Sequence, residues 1–194
     1  FNTMLPKEVR DYSKTFGKGE LGKLIADLYK KFGFAKSSEL IDKIKDFGFH
    51  YGTMAGITVG IEDLEIPETK KAILEKAEAD VAEIEQQYKS GEIIDIERYR
   101  RTVAIWSEAV EKITTEMMDN LDEFNPVYMM ANSGARGSIK QMRQLGGMRG
   151  LMSDTQGRII EVPIKANFRE GLNILEFFMS SHGARKGLAD TALK

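Results

Sequence analysis

A mainly α-helical fold is expected: a long antiparallel coiled-coil hairpin on a small helical base, with one short β-hairpin and a C-terminal helix. Three observations predict it. Apolar residues keep a/d time at Ile73 or Leu74, Ala77, Val81, Ile84 and Tyr88, and again at Ile96, Tyr99, Val103, Trp106, Val110, Ile113 and Met117. Between these runs lies Lys89-Ser90-Gly91-Glu92, whose glycine stops one helix and whose shortness turns the next back beside it. Off the seam stand Glu75, Glu78, Glu83 and Glu85 on one arm and Arg98, Arg101, Glu108 and Lys112 on the other, which suits two solvated faces on a hairpin that projects from a body. Each arm would reach about 30 Å.

The 194 residues suffice for one large domain or two small ones, and 42% hydrophobic content is enough to bury a core. The net charge of -2 hides an uneven distribution: 126–153 holds no Asp or Glu but carries Arg136, Lys140, Arg143 and Arg149. Absence of cysteine excludes disulfides and cysteine-ligated zinc, in keeping with a cytoplasmic chain. No apolar run has the length of a membrane span. The start at Phe1 and the end at Lys194, inside an expected helix, read as cuts through a longer polypeptide.

The base comes first, over residues 1–66. An irregular approach to Gly17 precedes one helical stripe of Leu21, Leu24, Ile25, Leu28, Tyr29 and Phe32, closed by Gly33. Ser37 or Ser38 would cap a second helix carrying Leu40, Ile41, Ile44 and Phe47, and the two matched stripes would pack together. Glycine at 48, 52, 56 and 60 predicts a tightly packed helix turning extended at Ile57-Thr58-Val59. Pro67 suits the first turn of the hairpin, 67–120. The segment 121–164 opens with a proline-ended linker, then a short helix with Ile139, Met142 and Leu145 broken at Gly146-Gly147. It ends in a β-hairpin over 151–164, with a turn at Asp154-Thr155-Gln156-Gly157 and a strand at 158–162. In 165–194, Asn167 with Glu170 forms a capping-box variant at the start of the last helix, whose apolar run from Leu172 to Met179 calls for burial on most sides.

Chemistry-bearing signals are few. The acid-free basic stretch either holds a phosphate, since arginine forks onto phosphate and glycine lets backbone N-H groups turn inward, or is a flexible solvated loop. Gly183 and Gly187 each cost about 1 kcal/mol in a helix interior, so a close approach or a built-in bend would offset them. His182 and His50 read as packing or hydrogen-bonding residues. No aspartate cluster for paired magnesium ions, no histidine pair and no nucleophile elbow occurs, so no self-sufficient active site is expected.

The runs Asn125-Pro-Val-Tyr-Met-Met-Ala-Asn-Ser-Gly-Ala-Arg-Gly-Ser138, Arg143-Gln-Leu-Gly-Gly-Met-Arg-Gly-Leu-Met152, Ala166-Asn-Phe-Arg-Glu-Gly-Leu-Asn173 and His182-Gly-Ala-Arg-Lys-Gly-Leu-Ala-Asp-Thr-Ala-Leu-Lys194 closely resemble the largest (β′) subunit of bacterial DNA-directed RNA polymerase. Phe1 to Pro6, Gly60 to Leu64 and Glu97 to Tyr99 extend the resemblance over essentially the whole chain.

The resemblance implies a piece of the secondary channel, through which nucleotides enter and backtracked RNA leaves. Residues 67–120 would be the rim helices, whose tip (Tyr88, Lys89, Glu92, Asp95, Arg98, Arg101) would dock Gre-type and DksA-like factors. The F-loop would fall around 126–150 and the first half of the bridge helix from about Asn167. Arg136, Arg143, His182, Arg185 and Lys186 would lie near nucleotide or nucleic acid, with Gly183 and Gly187 as a hinge. The partners implied are the other polymerase subunits, template DNA, RNA and NTPs. The magnesium-binding aspartate loop and the trigger loop are missing, so magnesium would be held elsewhere in the parent enzyme and this chain alone would be inactive. The alternative is a stand-alone helical-hairpin adaptor for a protein or an RNA; a longer reading frame with the aspartate loop upstream would decide against it.

Overall fold

The computed structural model describes residues 1–13, 15–154 and 156–193; the expected turn position Thr155 and the terminal Lys194 lie outside the described residues. The chain divides into two compact units, Phe1–Gly60 with Phe124–Ser138 and Ile61–Glu123 with Ile139–Lys194.

The first unit is built on α1 (Lys18–Ala55), which breaks sharply at Gly33, where φ is 71° and ψ -178°. The two limbs fold onto each other as their stripes predict: Leu24, Leu28 and Leu40 close a core with Leu5, and Phe1, Phe16, Phe32 and Ile44 pack around it. Gly33 itself makes the turn, so no serine cap is needed. Ser37 falls inside the resumed helix, buried, with no partner for its hydroxyl among the described residues. A left-handed φ disfavours any residue with a Cβ, although nothing stands within 4 Å of the place a Cβ on Gly33 would take. Gly33→Ala therefore costs about 2–3 kcal/mol in a urea titration through backbone conformation alone, because φ 71° with ψ -178° is a region essentially open to glycine only.

The glycine repeat after it does not mark close packing. Nothing lies within 4 Å of a Cβ built on Gly48 or Gly52, and Phe49, Tyr51 and Met54 are exposed around them. Only Gly56 has a conformational task, as the left-handed cap (φ 58°) that ends α1 before the extended 57–60. The stretch after the linker holds an unexpected helix, α4 (Pro126–Asn132), whose Asn125 side chain accepts from the N-H groups of Val127 (2.9 Å) and Tyr128 (3.3 Å). Asparagine before proline is the cap and first turn of a helix, a signal readable in the sequence.

The second unit is organised by the expected hairpin, α2 (Lys70–Lys89) and α3 (Asp95–Asn120). Contacts between Thr69 and Glu116 at one end and Gln87 and Arg101 at the other make the arms antiparallel. Pro67 precedes the helix by a turn, its carbonyl accepting from Lys70 N at 3.1 Å. Ala77, Ile84, Trp106, Ala109, Val110, Ile113 and Met117 are buried on the seam, but Ile96 is 70% and Tyr88 42% exposed, so the zipper opens before the tip. Nor is α3 bare on its second flank. Val110 and Ile113 pack against Met148 and Leu151, and a Cβ on Gly150 would stand 3.0 Å from Val110. An a/d count sees only one partner; α3 carries enough apolar surface for two.

Among the described residues the β-hairpin is reduced to two antiparallel bridges, Gly150↔Ile164 and Ser153↔Ile159. Four steps from Ile160 to Ile164 oppose two from Met152 to Gly150, so Glu161 to Pro163 bulge out of register; proline lacks the N-H that a regular ladder needs. The last helix, α6 (Ile174–Leu193), starts later than expected. The Asn167–Glu170 box is present but closes one turn ended by Gly171 (φ 84°), and a second box, Asn173 with Glu176, starts the helix (Asn173 N to Glu176 at 3.1 Å, Glu176 N to Asn173 at 2.9 Å). The burial expected over Leu172 to Met179 is not supplied within this chain: Ile174 is 77%, Leu175 75%, Phe177 61% and Phe178 60% exposed.

Candidate functional site: an arginine-bearing turn, a braced hairpin tip and a glycine-containing helix

The short helix α5 (Ile139–Met142) runs on into a wide π-type turn, Arg143–Gly147, at the expected glycine pair. Asn167, 0% exposed, holds this turn. Its side-chain amide donates to the carbonyls of Gly146 (2.9 Å) and Gly147 (3.1 Å), while its oxygen accepts from Glu170 N at 2.8 Å. Glu170 in turn accepts from Asn167 N at 3.0 Å and pairs with the buried Lys70 at 2.5 Å. The hub thus ties the turn to the start of α2, and Arg169 adds a 2.6 Å bond to the carbonyl of Leu64. Residues from three separated stretches meet here. Spacing within the sequence marks Asn167 only as a local cap.

The turn carries Arg143 half-buried, and Arg149 follows it, its guanidinium 4.8 Å over the ring of Phe168. Burial pushes both arginines below their ordinary range, and the Nε of each is buried without a hydrogen-bond partner among the described residues. Half-buried guanidinium groups whose Nε lacks a hydrogen bond are costly and are well suited to an anion such as phosphate. Arg136 lies in the first unit and is exposed. His182 and Arg185 are exposed on α6, and Lys186 is half-buried.

At the hairpin tip, Lys89, Glu92 and Asp95 are exposed, and Glu92 accepts from Ser90 Oγ at 3.0 Å. Arg101 pairs with Glu97 at 2.7 Å and remains largely open. Arg98 is different: its guanidinium bridges Asp95 (2.8 Å) and Glu161 (2.5 and 3.1 Å) and lies 5.4 Å from the ring of Tyr88. These carboxylates, Glu161 first, hold Arg98 above its ordinary range. Next to it, Tyr99 Oη donates to the carbonyl of Ile159 at 3.1 Å and carries Arg158 on its ring. The side chains of Arg98 and Glu161 are 19% and 29% exposed, so their bidentate pair is worth more than a surface ion pair. Arg98→Glu alone should cost about 2 kcal/mol in a thermal melt. The swap Arg98→Glu with Glu161→Arg should recover at least half of that loss, and a double-mutant cycle with no coupling would show that the pair is incidental.

Among the described residues no group of three or more His, Asp or Glu side chains is placed to hold a metal ion, and no helix is long and apolar enough to cross a membrane.

Two family models match, RNA polymerase Rpb1, domain 3, over residues 4–64 and RNA polymerase Rpb1, domain 4, over residues 93–169. Across all 194 residues the chain is 64% identical to the DNA-directed RNA polymerase subunit beta' of Fusobacterium nucleatum subsp. nucleatum. The chain belongs to the RNA polymerase β′ (Rpb1) family. It is likewise 56% identical over its full length to the subunits of the same name from Pelotomaculum thermopropionicum and Desulforamulus reducens. It spans 15%, 17% and 16% of the lengths of these three relatives. Family membership disfavours the stand-alone adaptor.

Proposed function

We propose that this chain is part of a DNA-directed RNA polymerase, a nucleotidyltransferase that extends RNA from NTPs on a DNA template, and that it forms the rim of the secondary channel and supports the active centre. The observation that carries this reading is the 64% identity over the whole chain to a subunit of that name. In this reading 1–66 is the channel's helical base, 67–120 the rim hairpin, 121–164 the F-loop segment with the bridged strand pair, and 165–194 the first half of the bridge helix. The remaining polymerase subunits cover the exposed apolar face of α6, since a row of Ile174, Leu175, Phe177 and Phe178 is too apolar to stay in water. The enzyme works in the cytoplasm.

Arg143 and Arg149 are the residues best prepared for phosphate. Their unpaired Nε groups already carry the desolvation cost that an incoming anion would offset, and their turn is held rigidly by Asn167. Arg136, His182, Arg185 and Lys186 extend the cationic lining for NTPs and RNA, and Gly183 and Gly187 soften α6. The magnesium ions of nucleotidyl transfer would be held by the aspartate loop of the parent enzyme, a motif this sequence does not contain.

The tip, Tyr88, Lys89, Glu92, Asp95, Arg98 and Arg101, docks Gre-type and DksA-like factors. The open Arg101 and the loop side chains Lys89 and Glu92 supply the contacts, while Arg98 holds the tip in shape. In a fluorescence titration with a Gre-type factor, this chain should bind weakly and reversibly, and Arg101→Glu should weaken binding about tenfold without changing the melting temperature. Unaltered binding by a variant lacking residues 85–101 would rule out docking at the tip.

A further inference from the structure

The stretch 150–164 touches two helices. Toward α3, Glu161 receives Arg98 at 2.5 and 3.1 Å, and the carbonyl of Ile159 receives Tyr99 Oη at 3.1 Å. Toward α6, Met152 Cε lies 2.9 Å from where a Cβ on Gly183 would stand, and Lys186 Nζ lies 3.2 Å from the matching point on Gly157. The two arms of the stretch are joined by the mutual bonds of Gly150 and Ile164 (2.9 Å each), by Asp154 N to the carbonyl of Arg158 (2.8 Å) and by Ile160 N to the carbonyl of Met152 (2.8 Å), the last being nearest to both anchors. Glu161 and Met152 are therefore one residue and one hydrogen bond apart.

The helix that receives this contact turns few large apolar side chains inward. Its less exposed stripe, Glu176, Met179, Ser180, Gly183 and Lys186, recurs at helical period and, Met179 apart, is small or polar, while Ile174, Leu175, Phe177, Phe178 and Leu188 are exposed. Gly183 and Gly187 lower its intrinsic helicity further, by about 1 kcal/mol each. The close approach that a glycine at 183 permits is thus made by a side chain of this chain, Met152. Because Glu161 to Pro163 are out of register, the segment that carries Glu161 is held by its anchor on Arg98 rather than by a ladder.

We propose that residues 150–164 are a strap that ties the first turn of α3 to the middle of α6 and sets how readily α6 opens at Gly183. Releasing Glu161 from Arg98 gives slack to Ile160, hence to Met152, and the helix loses the methyl group that faces Gly183. The strap acts whatever docks at the tip, so its test stands apart from the polymerase reading.

Hydrogen exchange by mass spectrometry on this chain tests it. In Glu161→Ala, amides over 181–187 should exchange about tenfold faster, although residue 161 touches none of them. The swap Arg98→Glu with Glu161→Arg should restore protection there. Met152→Ala should accelerate 181–187 to the same extent and leave 95–101 unchanged. If Glu161→Ala loosens only 95–101 and 158–162 and leaves 181–187 protected, the strap is refuted. Should Glu161→Ala loosen the whole unit, seen as faster exchange over 105–113, Met152→Ala decides alone: unchanged exchange at 181–187 overturns the proposal.

Discussion

Asn167→Ala should destabilise the second unit by about 3–4 kcal/mol. The substitution removes the amide that satisfies two buried carbonyls, Gly146 and Gly147, and the oxygen that caps Glu170 N. An orphaned buried acceptor costs about 1–3 kcal/mol, and two are orphaned at once. The loss spreads to Glu170, whose carboxylate bridges Asn167 N and Lys70 Nζ. Asn167→Asp sharpens the test because it keeps the shape and changes only the donor. A carboxylate aimed at two carbonyls in a site 0% exposed is held neutral, so its pKa rises above the unfolded value. The sign follows: the folded form binds the extra proton, so the variant's deficit relative to the parent chain is small at about pH 4 and grows as pH rises toward 7. Urea titrations of both chains at these two pH values measure it, and a deficit that is equal at both would mean that the amide donor is not what holds the turn.

Gly146→Ala should cost about 3 kcal/mol and exceed the effect of Gly147→Ala. A Cβ on Gly146 would stand 2.5 Å from the carbonyl oxygen of Glu65, a backbone atom that moves only with its whole segment. A Cβ on Gly147 meets Ile113 at 3.3 Å and Arg143 at 3.4 Å, side-chain carbons that shift by a few tenths of an ångström. Neighbouring glycines with the same residue type therefore differ in the kind of atom behind them. Differential scanning calorimetry ranks the two variants, and a larger drop for Gly147→Ala would show that the backbone at 64–65 yields easily.

The variants bear on function through the same hub. The turn that presents Arg143 is held from Asn167 and backed by Glu65, so a loosened hub should also weaken any anion bound there. Arg98 shows the opposite relation between sequence and role. Its place beside a hairpin tip marks it as a docking residue, whereas its bonds to Asp95 and Glu161 make it a brace.

Periodicity along the chain determined the elements whose stabilising partners are near in sequence. The two limbs of α1 with their break at Gly33, the α2–α3 hairpin and the Asn167–Glu170 box all follow from residues a few places apart, where apolar spacing and short-range hydrogen bonds act. Resemblance of the runs at 125–138 and 143–152 carried the family. Tertiary structure alone decided what distant segments do to one another. Only folding shows that α3 has a second buried flank, that Asn167 serves the turn at 146–147, that nothing packs on Gly48 and Gly52, and that Met152 lies against Gly183. The reason is physical: a glycine or an asparagine reads the same in sequence whether solvent, a carbonyl or a methyl group stands opposite, and what stands opposite is supplied by chain folded in from far away.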